Sequence, residues 1–145
     1  MRKIVLPGLV AGLAMLAIGL AASFLIDPIL PGIKNEYANS KLFRPWSDPL
    51  MQLYYLHPII VGLILAWVWD KVKPIFHECR LKKSVCLCRC CCGFGFMYWI
   101  MATIPGMFIT YASFQVSLPM VLNWSLVSLL QALAAGAVLA KMNKV

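Results

Sequence analysis

The chain has 145 residues, 62% of them hydrophobic and only 12% charged, about half the charge of an ordinary soluble domain. That leaves too little polar surface to cover a water-soluble core, so a soluble globular enzyme or binding domain is excluded. Thirteen Lys and Arg against five Asp and Glu give a formal charge of +8, but the basic residues flank long uncharged runs without a base-reading motif, which points to topology and anionic lipid headgroups and away from nucleic acid.

A helix crossing hydrocarbon needs about 20 mostly apolar residues, because only internal hydrogen bonds satisfy its backbone there. The first such run is residues 4–26, which carries no charge. Arg2-Lys3 ahead of it and Ala21-Ala22-Ser23 near its end also fit a cleaved signal peptide. The run is longer than the usual h-region of about 7–15 residues, so an uncleaved span is the better reading. An outer loop follows over 27–49, with Pro28, Pro31, Pro45 and Pro49 and a short interfacial helix expected near Glu36 to Phe43. The second span covers about 50–69, opened by Ser47 or Asp48 as N-cap and Pro49 in the first turn. A basic, cysteine-rich loop occupies 70–92. The third span, 93–111, contains Pro105-Gly106, which predicts a kink. The fourth covers 118–140. The expected fold is an all-α, four-transmembrane-helix bundle forming a single integral membrane domain over residues 1–145.

Positive charge chooses the orientation. Arg2, Lys3, Lys71, Lys73, Arg80, Lys82, Lys83, Arg89, Lys141 and Lys144 fall on one side; Lys34, Lys41 and Arg44 on the other are offset by Asp27, Glu36 and Asp48. Both termini and the basic loop are therefore expected in the cytoplasm, with anionic headgroups against that loop.

Spans associate by close packing and interhelical polar contacts, and small residues let backbones approach. Ser128, Ala132, Gly136 and Ala140 form a ridge at four-residue spacing, and the first span carries Gly8, Gly12, Gly19 and Ser23. Antiparallel helices would set Gly8 and Gly12 level with Ala140 and Gly136, and Gly19 and Ser23 level with Ser128 and Ser125. The same small residues also fit contact between two chains, so a homo-oligomer or a membrane-protein partner stays open.

An ionisable group inside a membrane is a functional candidate by default. The spans hold no acid or basic residue other than His57. With Thr103, Asn123 and Gln131 it could form an outward polar pocket; equally, His57 could bond at the interface, Asn123 cap the fourth span and Gln131 tie two helices together. No positioned acid–base pair or nucleophile accompanies them, so no catalytic residue is assigned.

The cysteines Cys86, Cys88, Cys90, Cys91 and Cys92 crowd the junction with the third span, with Cys79 and His77 upstream. Stable disulfides do not suit a reducing compartment. Thiolates with His77 could take zinc or copper, but a structural zinc site wants two chelating pairs separated by a folded loop, and the second pair is missing. Basic neighbours fit thiol reactivity or S-acylation. Small apolar filler at a membrane boundary, requiring no cofactor, is the plainest reading.

Two stretches, RPWSDPLMQLYYLHPIIVGLILAWVWDKVK and YWIMATIPGMFITYASFQVSLPMVLNW, resemble small uncharacterised four-helix inner-membrane proteins of prokaryotes. With the first span the resemblance covers most of the chain, and the cysteine cluster lies outside it. It implies a multi-pass architecture in a bacterial-type plasma membrane and carries no activity. The function expected from these readings is a non-enzymatic helix-packing scaffold or subunit. The alternatives are a small oligomeric transporter or channel around the outward polar residues, and a cytoplasmic-face metal- or thiol-dependent sensor.

Overall fold

In a computed structural model, residues 2–26, 29, 31–38, 42–45, 47–75 and 93–143 are described, the side chains of Arg2 and Lys3 excepted. Helix α1 spans Arg2–Ile26 and a short α2 spans Pro31–Tyr37. A 3-10 turn at Pro49–Gln52 runs into α3, Leu53–Val72. Helix α4 spans Gly93–Ser113 and α5 spans Leu118–Met142. Among the described residues there is no strand, and four helical segments are long and apolar enough to cross a membrane: Ile4–Ile26, Pro49–Ile75, Gly93–Ser113 and Leu118–Met142. Only 17–22% of each apolar window is buried inside the chain, so most of this surface must be met by hydrocarbon. The fold is that of a multi-pass membrane protein.

Local chemistry explains the boundaries. Asp48 is the N-cap of the second span: its Oδ1 accepts from the Leu50 N–H at 2.9 Å, and Pro49 follows where a missing N–H costs nothing. Ser117 caps α5, its Oγ accepting from the Met120 N–H at 3.4 Å. Asn123, six residues into the helix counted from Leu118, is not the cap. The outer-loop helix also differs from expectation. It starts at Pro31, whose fixed φ suits a first turn, and ends at Tyr37, so most of the segment expected to be helical falls outside it. Where Pro105 predicts a kink, α4 has a π turn over Trp99–Thr103, closed by the Ile104 N–H bonding back to Trp99 O. Pro105 has no N–H and its ring crowds the carbonyl four residues earlier, and a widened turn relieves that crowding.

Helix α1 lies between α3 and α5, and α4 packs on α5. An inner core gathers Ala11, Met15, Leu65, Ala66, Trp69, Phe94, Ala135, Leu139 and Ala140. There α4 also reaches α3, through the Trp69 and Phe94 rings, 5.1 Å apart and edge to face. A second cluster at the opposite end of the bundle joins Ile33 of α2 to Val116, Met120 and Val121.

Candidate functional site

Helices α1 and α3 cross at close range. A Cβ added to Gly12 would lie 2.7 Å from Ile59 Cα, and one at Gly8 would lie 2.9 Å from Leu63 Cα. One at Gly62 would meet Gly8 O at 2.5 Å and Gly12 Cα at 2.6 Å. Three glycines thus bring two backbones together at a distance no side chain permits. Helix α1 packs on α5 as well, but the atoms nearest to Gly8 and Gly12 are those of α3 and not Gly136 or Ala140. On α3, Gly62 supplies a second backbone without a Cβ.

The small ridge of α5 serves two neighbours. Ala132, Gly136 and Ala140 are buried and Ser128 is half-buried. Ala140 sits in the inner core with α1 and α3, while Ala132 faces α4, where a Cβ at Gly95 would stand 2.8 Å from its carbonyl carbon. Gly19 leaves room for Gln131, whose Nε2 would lie 2.6 Å from a Cβ there. Ser23 takes no part in helix packing: it is exposed, and its hydroxyl donates to Gly19 O of its own helix at 3.2 Å.

Polar side chains tie the helices further. Gln131 Nε2 donates to Met15 O at 2.9 Å, joining α5 to α1. Trp99 Nε1 donates to Ser125 O at 2.9 Å, joining α4 to α5. Where α3 meets the end of α5, Trp69 Nε1 donates to Asn143 O at 3.0 Å. Lys73 Nζ there bridges Asp70 Oδ1 at 2.8 Å and Asn143 Oδ1 at 3.1 Å. At the opposite end of the bundle the Ser117 N–H donates to Glu36 Oε2 at 3.2 Å, and Trp124 Nε1 donates to Tyr37 Oη. Tyr37, Phe43 and Trp124 pack as a ring cluster, centroids 5.4–6.3 Å apart. Beside it lies an open cavity of about 140 Å³ lined by Leu42, Phe43, Thr110, Phe114, Val116 and Trp124. Outside the spans, the Leu50 N–H and then the Arg44 guanidinium hold the Asp48 carboxyl below the usual carboxylate range.

The expected polar residues do not assemble into one pocket. Gln131 turns to α1, Thr103 is buried on α4 and Asn123 is half-buried on α5. His57 is exposed on α3, beside the buried Pro58. Among the described residues no hydrogen bond joins any two of these four. His77, Cys79, Cys86, Cys88, Cys90, Cys91 and Cys92 lie outside the described residues, within which no group of three metal-ligating side chains occurs.

Sequence reading overlooked Gly62, Gly95 and Asn143. The first had a signal: Pro58, Gly62 and Ala66 are spaced four apart and all are buried. Asn143 had none, because its role depends on Trp69, 74 positions away. No family model, curated protein or solved structure matches this chain.

Proposed function

We propose that the chain is a non-enzymatic multi-pass membrane protein that acts through helix packing, as a scaffold or as a subunit of a larger membrane assembly. The observation that carries this reading is the use of polar groups within the spans. Gln131 and Trp99 each donate to a backbone carbonyl of another helix, and Trp69 donates to the carbonyl of Asn143, the residue that caps the end of α5, so each holds helices together. Catalysis needs a positioned pair of reacting groups, and a solute path needs polar groups lining a shared cavity. The donors of Gln131, Trp99 and Trp69 go to structure instead.

The same reading places the protein in a bacterial-type plasma membrane with both termini in the cytoplasm. Its support is that the start of α1 with Arg2 and Lys3 falls on the same end of the bundle as Lys71, Lys73 and Lys141, the end marked by the Trp69–Asn143 contact. Fusing a reporter active only in the cytoplasm to each terminus should give signal from both.

Extraction into native lipid discs, followed by mass measurement, tests the function. The expected particle contains more protein than one 16.2 kDa chain. A strictly single chain at native abundance, with no other protein attached, would refute the proposal.

A further inference from the structure

The open cavity of about 140 Å³ lies where the end of α4 and the start of α5 meet Leu42 and Phe43, and its lining has a definite chemistry. Phe43, Phe114 and Trp124 bring three aromatic rings, and Leu42 and Val116 are aliphatic. The side-chain donors of the lining are already in use. The Thr110 hydroxyl donates to Gly106 O at 2.8 Å, and Trp124 Nε1 donates to Tyr37 Oη. A ligand acceptor would find no side-chain donor here, and a group with several N–H would find one side-chain acceptor, the Thr110 oxygen. Polar groups that leave water for such a space lose more than they regain. The cavity therefore suits a compact group that makes no hydrogen bonds; a site of about 150 Å³ takes up benzene.

Charge at the rim selects among such groups. Glu36 is half-buried and is fixed beside the cavity from two directions. Its Oε2 accepts from the N–H of Ser117, the residue after Val116, and its neighbour Tyr37 packs on Phe43 and Trp124. Among the described residues no Lys or Arg pairs with Glu36. Arg44, which follows Phe43, has its own acid, with Nη1 2.9 Å from Asp48 Oδ2. A carboxylate partly withdrawn from water and lacking a counter-ion attracts a cation, and aromatic faces do the same through their quadrupoles. Hydrocarbon would match the walls and leave the Glu36 charge unopposed. An ammonium or guanidinium would oppose that charge and leave its own N–H groups short of acceptors.

We propose that this cavity binds a trimethylammonium group, with the rings of Phe43, Phe114 and Trp124 around its methyls and Glu36 supplying the opposite charge. A quaternary nitrogen has no N–H, so it enters without hydrogen bonds to replace. Its charge is spread over the methyl surface that meets the rings, the arrangement by which aromatic cages hold choline-type cations. The group can arrive on a free solute or on the headgroup of a lipid. The inference goes beyond the packing function proposed above, and either can fail without the other.

The probes are choline and its uncharged isostere dimethylbutanol, in which a tert-butyl group replaces trimethylammonium. Saturation-transfer NMR follows the methyl protons of each, with the full chain in neutral maltoside micelles and protein-free micelles as background. Choline should bind saturably, and dimethylbutanol roughly three- to thirtyfold more weakly, the range of a cation–π contact. Glu36→Gln keeps an acceptor for the Ser117 N–H and should weaken choline but not dimethylbutanol. Phe114→Leu should weaken choline severalfold, and Phe114→Tyr should retain it. Each variant should unfold in dodecyl sulfate as the wild type does, which separates a lost site from a lost fold. Adding phosphatidylcholine, with phosphatidylethanolamine as control, distinguishes the sources: displacement of choline assigns the site to a lipid headgroup, and none assigns it to a free solute. Equal binding of the two probes overturns the cation site and leaves a plain apolar cavity. Choline binding that neither Glu36→Gln nor Phe114→Leu alters, or no saturable binding to the folded protein, overturns it as well.

Discussion

Gly62→Ala adds one methyl group at the crossing of α1 and α3, and the structure sets the size of the disturbance. The new Cβ would lie 2.6 Å from Gly12 Cα and 2.5 Å from Gly8 O. Carbon atoms rest at roughly 3.5–4.0 Å, so α1 must retreat by about 1 Å. The obstructing atoms are backbone, and no rotamer change can clear them. Overpacking of this kind costs about 1–3 kcal/mol. Alanine's better helix propensity returns at most about 1 kcal/mol. Gly106→Ala is the matched control: it makes the same chemical change on α4, where nothing lies within 4 Å of the added atom, and should be neutral or slightly stabilising. The two variants should differ by about 2 kcal/mol. Reversible unfolding in mixed micelles with rising dodecyl sulfate, followed by the fluorescence of the five tryptophans, measures both. Equal stability of Gly62→Ala and Gly106→Ala would refute the close crossing.

Gly95→Ala should push α4 off α5, because its Cβ would stand 2.8 Å from the Ala132 carbonyl carbon and 3.0 Å from Leu133 Cα; hydrogen exchange should rise across Gly93–Ser113 with α1 and α3 unchanged. Gln131→Leu should lose about 1 kcal/mol with its bond to Met15 O, measured by the same unfolding assay. For Asp48 the folded carboxyl titrates below its unfolded value, so its contribution is complete above the unfolded pKa and is lost as pH falls through the folded one. Carbon-13 NMR of the carboxyl should show that low midpoint rising in Arg44→Gln, the smaller of its two hydrogen-bonding causes having been removed. Metal analysis of the purified protein should find no stoichiometric zinc or copper, with no change when Cys86, Cys88, Cys90, Cys91 and Cys92 become serine; bound metal lost in that variant would replace the filler reading with a metal site.

The architecture was legible in the sequence wherever the controlling physics is local. The spans follow from runs of apolar residues, and the expected 93–111 and 118–140 differ from Gly93–Ser113 and Leu118–Met142 by only two residues at one end. Asp48-Pro49 marks its own helix start through contacts at most two residues away. Small residues likewise announced that α1 and α5 have faces made for close approach. The outer helix was misplaced because the prolines of the loop allow several starts, and packing of Ile33 against Val116 and Met120 selects among them.

Membrane insertion tests each segment almost separately: about 20 residues without charge satisfy their own backbone and need no partner. The number of spans, the limits of three of them and the charge bias between the flanking segments were therefore determined by the sequence itself, whereas the second span runs on to Ile75, six residues past its expected end at 69. Which helix meets which is a competition between distant surfaces. Gly8 and Gly12 could have served α5 or α3, and the lack of a Cβ at Gly62 decides for α3. Gln131 could have faced a pore, and a carbonyl 116 positions away takes its donor. His57 could have looked inward, and the glycine crossing turns its face of α3 outward. These outcomes depend on ångström-scale separations between backbones far apart in the chain, and only the assembled tertiary structure sets those distances.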